Sequence, residues 1–190
     1  MPFGKIVNNT VYGGETATGV GIDVTDNASP TILNNIVANT DTAISVSGNS
    51  GTTVVGTTVF QGNNATPITG TNAILLNVAD PLFVNPVGGN FYLTAGSRAI
   101  DSSLNRLEDR PDITLVSDRL GLDPSDIFAP ERDVFGQLRV DDPLQAPPPG
   151  LGFRVFTDRG AVERADFVGP TAELFVPLDN GPDDLNGADN

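Results

Sequence analysis

The chain has 190 residues, a formal net charge of −14 and a hydrophobic content of 38%. We expect no binding to nucleic acid and no attachment to anionic membranes, because both depend on clustered Lys and Arg. The chain contains no cysteine and no histidine, which excludes disulfides, thiol nucleophiles and histidine acid–base chemistry. No run of about 18 apolar residues is present, so we also expect no membrane insertion.

Three short segments repeat one apolar pattern, residues 6–12, 32–38 and 54–60, at offsets of 26 and 22 residues. A second set alternates with them, at residues 21–24, 43–46 and 73–76. Apolar and polar side chains alternate in Ile22-Asp23-Val24 and Ile44-Ser45-Val46, as in short strands with one buried face. Repeats of this length predict a stack of strand-containing turns, in which each turn buries its apolar face against its neighbours.

Paired asparagines stand in the middle of the first two segments, at Asn8-Asn9 and Asn34-Asn35. Asparagine tolerates the left-handed backbone conformation, and its amide both donates and accepts hydrogen bonds. We therefore predict that Asn9 and Asn35 belong to an amide ladder at one corner of successive turns. In the third segment Gly56-Thr57 is expected to replace the pair and to end the ladder.

The composition changes near residue 100. Residues 1–100 contain 13 Asn, 15 Thr and 5 acidic residues, whereas residues 101–190 contain 19 acidic residues and 10 of the 15 prolines. We predict stacked turns over 1–100, a closing segment over 101–165, and a linker with the start of a further β-module over 166–190. A lone strand at residues 171–177 needs a partner, so we expect the chain to be part of a longer polypeptide.

The pattern Ile-x-Asn-Asn-x-Val followed by Gly-Ile-x-Val resembles the right-handed parallel β-helix repeat of pectate-lyase-like proteins. The later motifs resemble the closing segment of bacterial secreted and surface β-helix proteins. They are Asp80-Pro81-Leu82-Phe83-Val84, Asn90-Phe91-Tyr92-Leu93, Gly96-Ser97-Arg98-Ala99-Ile100-Asp101, Asp133-Val134-Phe135-Gly136-Gln137-Leu138-Arg139 and Gly160-Ala161-Val162-Glu163. The resemblance implies an all-β fold, with about three terminal coils of a right-handed parallel β-helix and a loop-rich C-terminal cap. Two features depart from it: Arg159 stands where an apolar residue is usual, and residues 102–132 resemble an insertion.

A closing segment is expected because the last turn of a stack exposes unpaired strand edges and an open apolar core. We single out Asp133, Gly136 and Gly160 as structural residues of this segment, and Arg139 with Glu163 as an ion pair that fastens it. The residues expected to cover the last turn are Leu82, Phe83, Phe91, Leu93, Ile100, Phe135, Leu138 and Val162.

Catalysis on this scaffold, as the resemblance implies, belongs mostly to polysaccharide lyases and glycoside hydrolases. Such sites use clustered carboxylates, or Arg or Lys beside calcium held by Asp. Ser45 and Leu75 are expected at the positions equivalent to Asp23 in the next turns, so no pair of carboxylates is predicted to stack. We therefore do not expect catalysis within this chain. The alternative is the C-terminal part of a polysaccharide lyase or glycoside hydrolase whose active site lies on coils outside this sequence.

Calcium is the one cofactor that the composition suggests, because it prefers the oxygen ligands of Asp, Asn and backbone carbonyls. The candidate ligands are Asp23 with Asp26 and Asp109 with Asp112. Solvated acidic loops that keep the protein soluble are the alternative for each pair. The predicted function itself requires no cofactor.

These observations predict a non-catalytic extracellular or cell-surface segment. It would act as a rigid scaffold, or as a platform whose Thr- and Asn-lined strands bind polysaccharide or a surface protein. An ice-binding solenoid is a further alternative, but it needs a regular row of outward threonines, and Ile36 interrupts the row between Thr10 and Thr58.

Overall fold

The computed structural model describes residues 3–65, 68, 70–107, 127–152 and 154–164. In these residues the chain is all-β, with short strands and a single 3-10 turn at Gly48–Ser50. No helix in the described part is long and apolar enough to cross a membrane. The strands are β1 (Lys5–Val7), β2 (Thr10–Tyr12), β3 (Val20–Val24), β4 (Thr31–Leu33), β5 (Ile36–Ala38), β6 (Thr42–Val46), β7 (Val54–Gly56), β8 (Val59–Gln61), β9 (Ile74–Leu76), β10 (Phe83–Asn85), β11 (Asn90–Leu93), β12 (Arg106–Leu107) and β13 (Ile127–Phe128). The predicted module at 166–190 lies outside the described residues.

The first nine strands form three parallel sheets, in the orders β1-β4-β7, β2-β5-β8-β9 and β3-β6. Consecutive strands enter different sheets, and each pairs with the strand one repeat later. We call β1–β3 repeat 1, β4–β6 repeat 2, β7–β8 repeat 3 and β9 repeat 4. The prediction of an all-β fold built from parallel strands is confirmed. Strands β10 with β11 and β12 with β13 form separate antiparallel pairs.

The register of repeat 3 differs from the prediction by one residue. Ile32 pairs with Val55, which is an offset of 23 residues rather than 22. Thr57-Thr58 therefore occupies the corner of the asparagine pairs, and Thr57 has a left-handed φ of 44°. Because Val54 and Val55 are both apolar, the local sequence is compatible with either register, although a one-residue shift exchanges the two faces of a strand.

The predicted place of residues 73–76 is wrong. Strand β9 pairs with β8, with Ile74 opposite Val59 and Leu75 opposite Phe60, so these residues do not extend the sheet of β3 and β6. The offset from Val59 to Ile74 is only 15 residues, which makes repeat 4 shorter than the repeats before it. Leu75 is therefore not the equivalent of Asp23, which pairs with Ser45 as predicted.

The sheet β2-β5-β8-β9 is buried on both faces. On its inner face Val37 and Phe60 join the core between the sheets, together with Ile32 and Val55. On its outer face a second core forms against the segment that follows β9. The buried members of that second core are Ile36, Ala38, Val59, Ile74, Leu76, Leu82, Leu93, Ala99 and Ile100.

This second core corrects the expected position of the closing segment. Leu82, Leu93 and Ile100 pack along the side of the repeats instead of across the last turn. Leu75, opposite the core residue Phe60, is 57% exposed, so the described residues leave the end of the inner core open there. Apolar side chains on the outer face of this sheet account for the position, since packing against them removes them from water.

The other predicted covering residues divide into two groups. Phe91 and Phe83 pack edge to face at 5.5 Å between ring centroids, and both contact Tyr12 of repeat 1. Val162 is buried, whereas Phe135 and Leu138 are largely exposed. The closing segment thus uses part of the predicted apolar set and leaves the rest at the surface.

Candidate functional site

The second asparagine of each pair links repeats 1 and 2. The backbone N–H and the side-chain amide of Asn9 donate to Asn35 Oδ1, at 2.8 and 3.2 Å. Asn35 Nδ2 donates in turn to the carbonyl of Ile6 at 2.9 Å. Asn35 is fully buried, while Asn9 is exposed. The amide of Asn35 therefore satisfies two backbone groups at a corner where no strand bond is available.

Replacing Asn35 with leucine, which has a similar size, should lower the free energy of unfolding by roughly 1–3 kcal/mol, because the bonded backbone groups would lose their buried partner. Thermal and urea unfolding of both proteins measure this difference. The matched control is Asn9→Leu at the exposed position of the same ladder, for which we expect a smaller loss. An unchanged melting temperature for Asn35→Leu would show that the ladder has no structural role.

The first asparagines also bond across the repeats, since Asn34 Nδ2 donates to Asn8 Oδ1 at 3.2 Å, and in addition they hold the closing segment. Asn8 Nδ2 donates to the carbonyl of Asp158 at 2.9 Å. Asn34 Nδ2 donates to the carbonyl of Leu104 at 2.7 Å, and Leu104 N donates back to Asn34 Oδ1 at 2.8 Å. Both asparagines are buried and have left-handed φ values of 53° and 56°. The pairs thus carry two tasks, one within the stack and one toward the closing segment.

Gly160 brings the backbone of the closing segment onto repeat 2. Its N–H donates to the carbonyl of Asn34 at 2.8 Å, and its φ is 91°. A Cβ at this position would lie 2.7 Å from both Ile36 Cδ1 and Thr10 Oγ1. Only glycine combines this conformation with so close an approach.

Asp133 organises the turn that precedes Arg139. Asp133 Oδ1 accepts hydrogen bonds from Phe135 N and Gln137 N at 2.8 and 2.9 Å, and Gly136 completes the turn with a φ of 82°. Asp133 Oδ2 accepts from Glu163 N at 3.2 Å. The same carboxylate therefore shapes one closing motif and joins it to the other.

Arg139 and Glu163 form an ion pair with 2.9 Å between Nη1 and Oε2, and both side chains are 2% exposed. The guanidinium also donates to the carbonyls of Asp158 and Gly160, at 3.2 and 2.8 Å. Glu163 Oε1 accepts from Val140 N at 3.1 Å. The pair is enclosed and largely hydrogen-bonded, which a buried ion pair requires to offset its desolvation.

The structure adds buried charges that the sequence analysis did not single out. Asp158 Oδ1 accepts from Asp101 N at 2.7 Å, and Asp158 Oδ2 accepts from Arg164 N at 3.1 Å. Arg164 pairs with Asp142 at 3.2 Å between Nη1 and Oδ2. We call these four residues, with Arg139 and Glu163, the buried charge cluster. Asp101 and Asp158 are 57 residues apart in the sequence, so no local sequence pattern predicts their contact.

Burial dominates the protonation of this cluster. It raises the pKa of Asp101 to about 8, and the nearby Asp158 carboxylate adds to the shift. Burial, and then the charge of Glu163, raise the pKa of Asp158. Burial also raises the pKa of Glu163, against the opposing effect of Arg139. The cluster therefore holds protons more tightly than the same carboxyls do in water.

We expect the free energy of unfolding to fall as the pH rises from about 4 to about 8. An unfolded Asp loses its proton near pH 3.8, whereas folded Asp101 keeps it up to about pH 8. The stabilisation from protonated Asp101 is therefore complete below about pH 3.8 and disappears as the pH rises to about 8. Asp101→Asn cannot ionise, so it should flatten this dependence and be more stable than the unaltered protein by roughly 2–4 kcal/mol above pH 8.

Urea unfolding at a series of pH values measures this dependence. Asp23→Asn removes one exposed charge from the outer face of β3 and serves as the control for general charge repulsion. Parallel pH profiles for the unaltered protein and Asp101→Asn would contradict the role assigned to Asp101.

Arg159, at the position where the resemblance led us to expect an apolar residue, is also buried. Its Nε donates to the carbonyl of Ser102 at 2.9 Å, and its Nη1 donates to the carbonyl of Asn72 in the turn before β9 at 3.1 Å. Burial lowers the pKa of Arg159 to about 10, with a further contribution from Arg98. The guanidinium thus links the closing segment to repeat 4 through backbone carbonyls.

The predicted calcium ligands are not assembled into a site in the described part. Asp23 lies on the outer face of β3 and Asp26 in the bend after it, where Asp26 Oδ2 is 3.3 Å from Thr25 Oγ1. Asp109 and Asp112 lie outside the described residues. Among the residues that are described, no group of three or more His, Cys, Asp or Glu side chains could hold a metal ion. The calcium hypothesis therefore stays a prediction.

The buried charge cluster holds parts of the structure together and is not open to a substrate. Asp101, Asp158 and Glu163 are at most 2% exposed, so none of them can touch a substrate in this conformation. Their bonds, with those of Asn8, Asn34 and Arg159, join the closing segment to repeats 1, 2 and 4. Comparison with known proteins gives no match, whether with family models, curated sequences or solved structures.

Proposed function

We propose that this chain is a rigid, non-catalytic scaffold segment of the right-handed parallel β-helix type, in an extracellular or cell-surface protein. The proposal rests on the hydrogen bonds that hold the closing segment along the side of the repeats. Asn8 in repeat 1, Asn34 in repeat 2 and Asn72 before β9 all bond to residues after position 100. A segment held at three levels of a stack resists shear between the repeats.

Two further features support the β-helical part of the proposal. Strands of successive repeats pair in parallel and in register, as in Ile6 with Ile32 and Ile32 with Val55. Connections between parallel strands of one sheet are almost always right-handed, which favours the right-handed form. The proposed location is supported by the resemblance of the closing motifs to bacterial surface proteins and by the high negative charge, which favours solubility.

Amide hydrogen exchange tests the scaffold role, because a rigid scaffold should open as one cooperative unit. We expect Ile36 N and Val59 N, which are bonded between repeats, to exchange with the same free energy of opening as Leu104 N and Gly160 N of the closing segment. Exchange of the closing-segment amides that is far faster than that of the strands would contradict the proposal. The exposed residues Gly48 and Asn49 provide the fast-exchanging reference.

A further inference from the structure

A groove lies at the C-terminal ends of strands β2, β5 and β8. Tyr12, Ala38 and Gln61 are paired neighbours on adjacent strands of the sheet, and all three line the groove. Val78, Pro81 and Phe83 also line the groove, and its volume is about 310 Å³. This volume is at the lower end of the range for small-molecule sites, about 300–1,000 Å³.

The bends after β5 and β8 keep the groove open. Asn39 and Gly62 follow these strands, and both have left-handed φ values, 57° and 63°. A Cβ at Gly62 would lie 2.9 Å from Asn39 Oδ1. Glycine at this position therefore leaves the amide oxygen of Asn39 uncovered.

Several side chains of the groove are held in place by a hydrogen bond from one of their polar atoms to the backbone, while their other polar atom is not bonded within the described part of the chain. Gln61 Nε2 donates to the carbonyls of Asn77 and Asp80 at 2.9 and 2.8 Å, and Asp80 Oδ2 accepts from Asn77 N at 2.7 Å. Asn39 Nδ2 donates to the carbonyl of Gly14. Among the described residues no hydrogen-bond partner is found for Gln61 Oε1, Asp80 Oδ1, Asn39 Oδ1 or the Tyr12 hydroxyl.

These free atoms define the kind of ligand that fits. Three oxygen acceptors and one hydroxyl call for a ligand with several O–H donors, while the rings of Tyr12 and Phe83 call for one with an apolar face. A sugar ring has both, because its hydroxyls lie around its edge and its C–H groups form its faces. The carboxylate of Asp80 and the net charge of −14 disfavour an anionic ligand.

We propose that this groove binds a neutral saccharide, with Asp80, Gln61 and Asn39 accepting hydrogen bonds from ring hydroxyls and with Tyr12 packing on a ring face. The inference goes beyond the scaffold role and does not depend on it. The groove is distinct from the buried charge cluster and lies on the surface, where a polysaccharide can reach it.

Titration of the full chain with short neutral gluco-, manno-, galacto- and xylo-oligosaccharides tests the proposal, followed by NMR through the side-chain amides of Asn39 and Gln61. We expect saturable shifts of these amides with at least one sugar type. Asp80→Asn should weaken binding about tenfold, and Tyr12→Phe, which removes only the hydroxyl, should weaken it about threefold. Val78→Trp should abolish binding by filling the groove from a position that is 80% exposed, which leaves folding intact.

The control variant is Asp23→Asn, on the outer face of a different sheet, for which we expect unchanged affinity. Folding of each variant is checked by the dispersion of its amide spectrum. Binding that survives Val78→Trp would overturn the proposal, as would the absence of shifts with every oligosaccharide in a folded sample. Selective binding of an alkylammonium ion in place of sugars would also overturn it, since a cation can use the same aromatic and acidic groups. Hydrogen exchange of the scaffold is unaffected by any of these outcomes, so the two proposals fail separately.

Discussion

Gly160→Ala should lower the free energy of unfolding by roughly 3 kcal/mol or more, because two penalties coincide at this residue. Its φ of 91° is unfavourable for any residue with a Cβ. The added methyl group would also lie 2.7 Å from Ile36 Cδ1 and Thr10 Oγ1, so either these side chains or the closing segment would have to shift. Urea unfolding measures the loss of stability. Hydrogen exchange at the backbone amides of Leu104 and residue 160 reports whether the closing segment detaches before the repeats unfold.

Gly136→Ala is the matched control for this prediction. Gly136 has a similar φ of 82°, but nothing lies within 4 Å of the position that a Cβ would take. It should therefore show the backbone penalty alone, about 1 kcal/mol. Equal losses for the two variants would show that Gly160 is needed only for its conformation and not for close contact with Ile36.

Arg139→Met should cost roughly 3–5 kcal/mol, because it leaves Glu163 buried without its counter-charge. It also removes the donors to the carbonyls of Asp158 and Gly160. Lowering the pH should recover part of the loss in this variant, since a protonated Glu163 needs no cation. Thermal unfolding at neutral and acidic pH measures both effects.

The double variant Arg139→Met with Glu163→Gln keeps the prediction testable if the single variant does not fold. The glutamine oxygen can still accept from Val140 N, and no unpaired charge remains. We expect the double variant to be more stable than Arg139→Met alone. A double variant that is no more stable than the single one would show that the ion pair itself is not the main interaction of Arg139.

The general features of the repeats could be predicted because they depend on local chemistry. Asn8 and Asn34 occupy left-handed corners that few other residues tolerate, and apolar alternation in β3 and β6 places Ile22 and Ile44 inside. The contact between Arg139 and Glu163 was expected from their motifs in the closing segment. The register of repeat 3 could not be predicted, because Val54 and Val55 are both apolar and either of them could face the core.

The candidate sites were less predictable, for two physical reasons. Asp101 and Asp158 resemble ordinary surface carboxylates in the sequence, and only packing across 57 residues removes them from water. The groove is lined together by Tyr12, Ala38 and Gln61, which are neighbours only in the correct register of three strands. A prediction shifted by one residue in repeat 3 places Phe60, not Gln61, beside Ala38, and the groove disappears.

The sequence by itself determined that this protein is all-β with parallel strands, since strand length, corner residues and apolar spacing are local properties. The motifs of the closing segment were expected from their resemblance to those of bacterial β-helix proteins. Only the tertiary structure decided where that segment lies. The outer face of the sheet β2-β5-β8-β9 carries apolar side chains, and the segment after β9 removes them from water by packing against them.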